Sequence, residues 1–308
     1  MAIVSLGCAA ALLSSLGQPV SASAGGGTNG RIAFLALDHR GRSQVFSMAP
    51  DGGDVRQVTH VTRRSGAHDP AWSPDARVIA YSADSSYGDA EIRLIDADGS
   101  HDRVLMHDPL FLDFQPSFSP DGRTVLFTRC IPGSNCTLYT IRSDGTRLHQ
   151  LLPFSKDGAD TDGHYSPDGS LILDSHFYQG AKIAALAIMN ADGSGLHTIT
   201  PGRLTAADGE WSPDGGTIAF FSHCCDPKIS AIWTVRSDGS DRTRLTRPAP
   251  EHDFVPTYAP DGASIAFERD REDFSSWGIW VMGADGSGAV EINDGGFNPS
   301  WSPAGATP

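Results

Sequence analysis

Short apolar runs separated by polar turns recur along most of the chain. One kind of run, rich in β-branched, aliphatic and aromatic residues, has clear copies at RVIAYSA (77–83), RTVLFTR (123–129), GTIAFFS (216–222) and ASIAFER (263–269). A second run follows each copy, such as TLYTI or GIWVM, and a third follows the next turn, such as RTRLT. The length and composition of these runs predict β-strands. With the aromatic-Ser-Pro run that precedes them, each repeat contains four strands.

Two turn motifs recur at a fixed spacing between these strands. SPDG and its near copies place aspartates 46 or 47 residues apart, at Asp75, Asp121, Asp168, Asp214 and Asp261. Asp-Gly pairs form a second series with steps of 46 to 48 residues, at Asp51, Asp98, Asp144, Asp192, Asp238 and Asp285. In a turn, Pro fixes φ, Asp bonds the backbone two residues on, and Gly accepts a positive φ. We therefore expect these aspartates to be structural turn residues rather than catalytic carboxylates or calcium ligands.

The repeat predicts the fold class. Four antiparallel strands in every 46 to 48 residues, without intervening helices, are typical of propeller blades. The prediction is an all-β, six-bladed β-propeller of four-stranded antiparallel blades. Because the propeller begins with a second strand (31–37) and ends with a first strand (298–305), the C-terminal strand is expected to complete the N-terminal blade and close the ring.

The repeat also resembles a known family. An aromatic-Ser-Pro-Asp-Gly strand and turn, IAF-like and IWxM-like strands, Asp-Gly and Leu-Thr are similar to the TolB-type, WD-like propeller repeat. The aromatic residue recurs in register at Trp72, Phe118, Tyr165, Trp211, Tyr258 and Trp301. The resemblance implies a binding scaffold that is secreted or sits in the cell envelope. It concerns the propeller only, and we expect no N-terminal TolB domain before it.

The N-terminal segment predicts export. Residues 3–17 are apolar but too short to span a membrane, and Ala22-Ser23-Ala24 offers a cleavage site. We assign residues 1–24 to a signal peptide, 25–30 to a linker and 31–308 to the propeller. The protein is expected to be secreted, periplasmic or envelope-associated, without an integral membrane span. Cys8 leaves a lipid anchor as an alternative.

Cysteine usage agrees with export. Four cysteines remain after the leader, and an even count in an exported protein favours disulfides. Cys130 and Cys136 flank one hairpin and are predicted to pair. Cys224 and Cys225 are adjacent, and both a vicinal bridge and a pair of free thiols remain open for them.

The charge balance restricts the partner. The chain carries 37 acidic residues against 23 Lys and Arg, a formal net charge of −14. An acidic surface disfavours nucleic acid and anionic membranes. We expect a protein or peptide partner with a basic surface, and a monomeric propeller.

The candidate binding residues come from the alignment of the repeats. The SPDG and Asp-Gly turns share one end of the propeller, the turn face; the hairpins and connections that differ between repeats share the opposite end, the variable face, where function is expected. Positions eight and six before the turn aspartate are rich in acids, and four before stand His164 and Glu210. These positions predict an acidic collar at the channel mouth, formed by Asp69, Asp113, Asp160, Asp162, His164, Asp208, Glu210 and Asp253.

Two interpretations of the collar remain open. The carboxylates either bond the backbone at the start of each inner strand, or they bind a ligand such as the basic end of a peptide or a calcium ion. EF-hand spacing is not met, so no cofactor is predicted and calcium is only an alternative. No zinc-helix spacing is found among the histidines.

No catalytic motif is present. The sequence contains no G-x-S-x-G, H-E-x-x-H, P-loop or C-x-x-C, and no catalytic residue is assigned. A binding scaffold acting through the variable face is favoured over an enzyme. The alternatives are a metal-assisted lyase or hydrolase with its site in the funnel, and a propeller module of a prolyl-oligopeptidase-type system.

Overall fold

Six antiparallel sheets account for nearly all of the regular structure. The computed structural model describes residues 29–62, 66–84, 89–178, 183–223, 230–247, 251–271 and 276–303. The predicted signal peptide and both Cys224 and Cys225 lie outside these residues. Each sheet has four strands and forms one blade. The all-β, six-bladed propeller is confirmed.

The blades follow one another along the chain. Blade one contains β1 Ile32–Leu37, β2 Ser43–Met48, β3 Arg56–Gln57 and the last strand of the chain, β24 Phe297–Trp301. Blade two contains β4 Ala67–Trp72, β5 Val78–Asp84, β6 Ala90–Asp96 and β7 Arg103–Met106. Blade three contains β8 Leu112–Phe118, β9 Thr124–Cys130, β10 Cys136–Arg142 and β11 His149–Gln150.

The second half repeats this order. Blade four contains β12 Gly158–Tyr165, β13 Leu171–Tyr178, β14 Ala184–Asn190 and β15 His197–Thr198. Blade five contains β16 Ala206–Trp211, β17 Thr217–Ser222, β18 Ala231–Arg236 and β19 Thr243–Arg244, and a short 3-10 helix, Gly202–Leu204, precedes it. Blade six contains β20 His252–Tyr258, β21 Ser264–Asp270, β22 Trp277–Gly283 and β23 Val290–Asp294.

The ring closes as predicted. Strand β24 pairs antiparallel with β1, with Ile32 opposite Trp301, and takes the innermost place in blade one. Every blade therefore has an inner strand at the channel: β24, β4, β8, β12, β16 or β20. These six strands run from the variable face towards the turn face.

The turn aspartates are structural, as predicted. In all eleven, a side-chain oxygen accepts a hydrogen bond from the backbone N–H two residues on. The residue that follows has a positive φ, for example +69° at Gly122 and +84° at Gly145, and it is glycine in every turn except at Ala76, where φ is +53°. The backbone of these turns thus favours Asp and Gly.

The core lies between the blades rather than in one central mass. Six buried apolar clusters are found, one at each junction of neighbouring blades. In the cluster between blades one and two, for example, Leu35 and Val45 pack with Trp72 and Ile79. Burial of both faces of each sheet explains why the strands are almost continuously apolar.

The predicted disulfide is present. Cys130 ends β9, Cys136 begins β10, the two are directly opposite in the ladder, and their sulfurs are bonded. The bridge fixes the base of a hairpin on the variable face.

Candidate functional site in the central channel

A β-bulge interrupts every inner strand at the same place. The residue six before the turn aspartate adopts the left-handed conformation in all six blades: Asp69, Gln115, Asp162, Asp208, Val255 and Asn298 have φ of 46° to 53°. The pairing with the next strand shifts by one residue at this point. Left-handed backbone is rare outside glycine and a genuine outlier for a β-branched residue such as Val255. Backbone strain of this kind tends to occur at functional sites.

The bulge divides the predicted collar into two groups. In blade two, Ala67 lies opposite Ala83, whereas Ala71 lies opposite Ala80. The two partner residues, Ala83 and Ala80, are three residues apart on their strand, and residues an odd number apart on a strand face opposite sides of the sheet. Positions eight and four before the turn therefore also face opposite sides. The extra residue therefore separates Asp113, Asp160 and Asp253 from the other predicted residues.

The central group lines one cavity of about 90 Å3 in the middle of the channel. All six left-handed residues contribute to it, together with His164 and Glu210. Five of the eight predicted binding residues are thus brought together: Asp69, Asp162, His164, Asp208 and Glu210. His164 and Glu210 also border a second cavity, of about 270 Å3, which opens towards the turn face among Trp72, Tyr165 and Trp211.

The carboxyl groups of the central cavity repel one another. Burial, followed by the charges of Asp162 and Asp69, raises the pKa of Asp208 well above its usual range. Burial also raises the pKa of Glu210, although the nearby His164 opposes this effect. The cavity therefore disfavours the charged forms of these two carboxyl groups, and a nearby cation would favour them.

His164 supplies the balancing positive charge in this cavity. Its Nε2 lies 3.4 Å from Asp162 Oδ1 and its Nδ1 lies 4.0 Å from Glu210 Oε2. Burial alone would lower the pKa of His164, but the hydrogen bond and the neighbouring carboxylates raise it to about 9. His164 is consequently an imidazolium at neutral pH, and four carboxyl groups face this one cation.

The left-handed residues also join neighbouring blades. The backbone N–H of Gln115 donates to Asp69 Oδ2 at 3.2 Å, and that of Asp162 donates to Thr128 Oγ1 at 2.9 Å. The N–H of Asp208 donates to Ser175 Oγ at 3.1 Å. Each acceptor belongs to the preceding blade, so these hydrogen bonds link neighbouring blades around the channel. We call this set of hydrogen bonds the belt.

The belt continues across the closure of the ring. The backbone N–H of Asn298 donates to Glu268 Oε2 at 2.8 Å, and its amide Nδ2 donates to Asp69 Oδ1 at 3.3 Å. Between blades five and six the corresponding residues are Phe221 and Val255, whose side chains have no polar atom. Asp69 thus accepts a backbone hydrogen bond, while Asp208 and Glu210 line the cavity. Ligand binding by the collar stays a prediction.

Two of the predicted residues are ion-paired away from the cavity. Asp113 is fully buried and binds Arg129 through two hydrogen bonds of 2.7 and 2.8 Å. Asp253 binds Arg269 in the same way, at 2.6 and 3.0 Å. Both guanidinium groups also stack on aromatic rings of their own blade, Arg129 on Phe111 and Arg269 on Trp280. In blades three and six, the aspartate eight residues before the turn thus forms an ion pair with an arginine of its own blade.

The equivalent residue of blade four has different partners. Asp160 Oδ1 lies 2.7 Å from His176 Nδ1, and this contact raises the pKa of the imidazole. Asp174, from the adjacent strand β13, lies beside them, and the three side chains offer ligand atoms within 4.8 Å of one another. Burial and the Asp160 charge raise the pKa of Asp174 well above its usual range. Asp174 and His176 were not predicted as a cluster.

The comparison with protein families concerns the first part of the chain. The model of the TolB beta propeller domain matches residues 26–159, and the remaining blades have the same architecture. The matched residues are similar to TolB-type propeller repeats.

Solved TolB structures share the fold of this six-bladed propeller. TolB from Acinetobacter baumannii superposes with a TM-score of 0.76 at 23% identity, covering 90% of this chain and 68% of that one. A putative TolB from Agrobacterium tumefaciens gives 0.69 at 21% identity, covering 89% and 93%. At these identities the likeness concerns the fold.

A curated relative is more similar over a shorter stretch. The Bacillus subtilis protein described as uncharacterized peptidase YuxL is 36% identical over 77 residues, 25% of this chain. The match spans only 11% of the peptidase.

Among the residues that the structure describes, no helix has the length and apolarity needed to cross a membrane.

Proposed function

We propose that this TolB-type propeller is a secreted or envelope-associated binding module that holds a protein or peptide partner through its central channel. The observation that carries the proposal is the convergence of Asp69, Asp162, Asp208 and Glu210 on one cavity, with His164 as the only basic side chain among its lining residues. The raised pKa values of Asp208 and Glu210 indicate that a further cation would be favourable there.

The size of the cavity favours the tip of a chain over a whole small molecule. Small-molecule sites usually have volumes of about 300 to 1,000 Å3. A cavity of about 90 Å3 can hold a lysine ammonium or an amino terminus with a few waters, or a bare cation. We infer that the basic end of a partner segment enters the channel while the rest contacts the variable face.

The test is binding of defined peptides to the full-length protein. Octapeptides with an N-terminal Lys-Lys sequence are compared with acetylated Glu-Glu peptides by fluorescence anisotropy in low salt. We expect the basic peptides to bind more tightly, with an affinity that falls as salt is added. The triple variant Asp162→Asn, Asp208→Asn, Glu210→Gln should lose this preference.

The matched control is the triple variant Asp98→Asn, Asp144→Asn, Asp192→Asn. It changes the formal net charge by the same amount at exposed turns, and Asn can still form the turn hydrogen bond. Equal binding losses in both triple variants would mean that only general charge attraction is measured. Such a result would overturn the central-channel proposal.

An enzymatic role is the second candidate. The peptidase match favours a propeller module that filters substrates for a catalytic partner, and the Asp160, Asp174 and His176 cluster favours a metal-assisted reaction. A hydrolysis or elimination assay that is positive for the protein and negative for His176→Gln would support this alternative over binding alone.

A further inference from the structure

Blade four departs from the other blades at one core position. On the second strand from the channel, one equivalent position carries an aromatic residue in five blades. These residues are Phe34, Tyr81, Phe127, Phe220 and Phe267, and all are among the largest fully buried side chains. Strand pairing places Asp174 at this position in blade four. Asp174 is likewise 0% exposed. A carboxyl group therefore occupies the site of a phenyl ring.

The neighbouring strand is changed as well. Asp174 lies opposite Ala187. In the other blades this opposite residue is large: Phe46, Arg93, Tyr139, Trp233 or Trp280. Two bulky side chains are thus replaced by two small ones in blade four only. In blade four this position lies beside Asp160 and His176 instead of carrying an aromatic ring.

In the described part of the chain no N–H or hydroxyl group donates a hydrogen bond to the carboxyl group of Asp174, and the Asp160 carboxyl group lies close to it. Both oxygens are buried and unsatisfied. Burying an unpaired polar group is costly, and burying an unpaired charge more so. In blades three and six an arginine satisfies the inner-strand aspartate, but in blade four Asp160 contacts His176 and the carboxyl group of Asp174 instead.

We propose that Asp160, Asp174 and His176 bind a divalent transition-metal cation. A cation between them would ligate the buried carboxyl group of Asp174, which no donor satisfies, and would explain the loss of the aromatic ring. Two carboxylates and one imidazole suit ions such as Zn2+ and Mn2+, whereas Ca2+ and Mg2+ prefer sets made of oxygen alone. Three protein ligands leave coordination positions free.

The cluster is partly accessible to solvent. The side chains of Asp160 and His176 are 7% and 21% exposed, respectively, so the imidazole is the more accessible of the two groups. Tyr178 packs edge-on against this ring at 4.8 Å and limits its rotation. The site does not share a residue with the central cavity, and the proposal is independent of the proposed function.

Isothermal titration of the chelator-treated full-length protein tests the site. The background carries Cys224→Ser and Cys225→Ser, so that these adjacent cysteines do not bind zinc. We expect one equivalent of Zn2+ or Mn2+ to bind, and its excess to raise Tm by several degrees. Ca2+ should bind at least about tenfold more weakly. Co2+ should give a visible absorption band that depends on His176.

Substitutions locate the binding. Asp174→Asn and His176→Gln should each weaken the metal by at least about tenfold, whereas Asp208→Asn in the central cavity should leave the affinity unchanged. Asp174→Leu introduces an apolar side chain, as the other blades have at this position. It should abolish metal binding without lowering the Tm of the metal-free protein. Absence of binding by the folded protein, or binding that survives both Asp174 substitutions, would overturn the proposal.

Discussion

The turn aspartates and the inner-strand carboxyl groups use the same chemical group in opposite environments. At Asp121, hydrogen bonds from the Ser119 hydroxyl and the Arg123 N–H lower the pKa. At Asp208, burial and neighbouring carboxylates raise the pKa. The carboxyl group of Asp121 is exposed, and hydrogen bonds within its own turn satisfy it. The carboxyl group of Asp208 lies in a narrow channel.

The difference separates architecture from chemistry. Turn aspartates recur in nearly every blade because each hairpin has the same backbone requirement. Asp174 and His164 occur once each, at positions where other blades carry other residue types. In a repeat protein, the residue that breaks the repeat is therefore the better candidate for function.

The largest effect is expected where an inner-strand carboxylate balances a buried charge. Asp113→Ala leaves the Arg129 guanidinium, whose side chain is 3% exposed, without its bidentate partner. The free energy of unfolding should fall by about 3 to 5 kcal/mol, as measured by urea denaturation. The double variant Asp113→Leu, Arg129→Met serves as the control and should recover most of the loss. A loss below about 1 kcal/mol for Asp113→Ala would show that the buried pair resembles a surface one.

An intermediate effect is expected from the titration of His164. Its pKa is raised from 6.5 to about 9, so the protonated form stabilises the native state. This contribution is complete below pH 6.5 and is lost as pH rises through 9. The free energy of unfolding should fall by up to about 3 kcal/mol across this range.

His164→Gln isolates this contribution from other groups that titrate at alkaline pH. Urea denaturation at a series of pH values should give a flatter profile for the variant than for the native protein. Parallel profiles would contradict the assignment of His164 as the cation of the central cavity.

The smallest effect is expected at a turn. Asp75→Ala removes the acceptor for the Ser73 hydroxyl and the Arg77 N–H. Because Asp75 and Arg77 lie at an exposed turn where water can replace the lost acceptor of the Arg77 N–H, the free energy of unfolding should fall by only about 1 kcal/mol. Asp75→Asn, which can keep the turn bond, is the control. A loss as large as that of Asp113→Ala would erase the distinction between the two sets of carboxylates.

The repeats were sufficient to predict the blades, the turns and the closure of the ring. They were not sufficient for the site, because the side of a strand on which a residue lies depends on the register. Every inner strand has Pro or Gly five before the turn, as at Pro70 and Gly163. Such residues are typical of bulges, and this signal could have revealed the shift that separates Asp113 from Asp208.

The cluster in blade four was missed for a different reason. Asp174 stands in a run, LILDSHFY, whose equivalents in other blades are aromatic at that place. Comparison of the repeats on their second strands would have identified the exception. The unpaired state of its oxygens depends on side-chain packing, which no repeat alignment contains.

The closure of the ring by β24 has a consequence for how the chain folds. Blade one needs residues from both ends, so it is completed only after Phe297–Trp301 have left the ribosome. Bringing such distant segments together costs loop-closure entropy and slows folding. A circular permutant with linked ends and new termini between β7 and β8 would make every blade contiguous, and its rate of refolding would report how far this last step limits maturation.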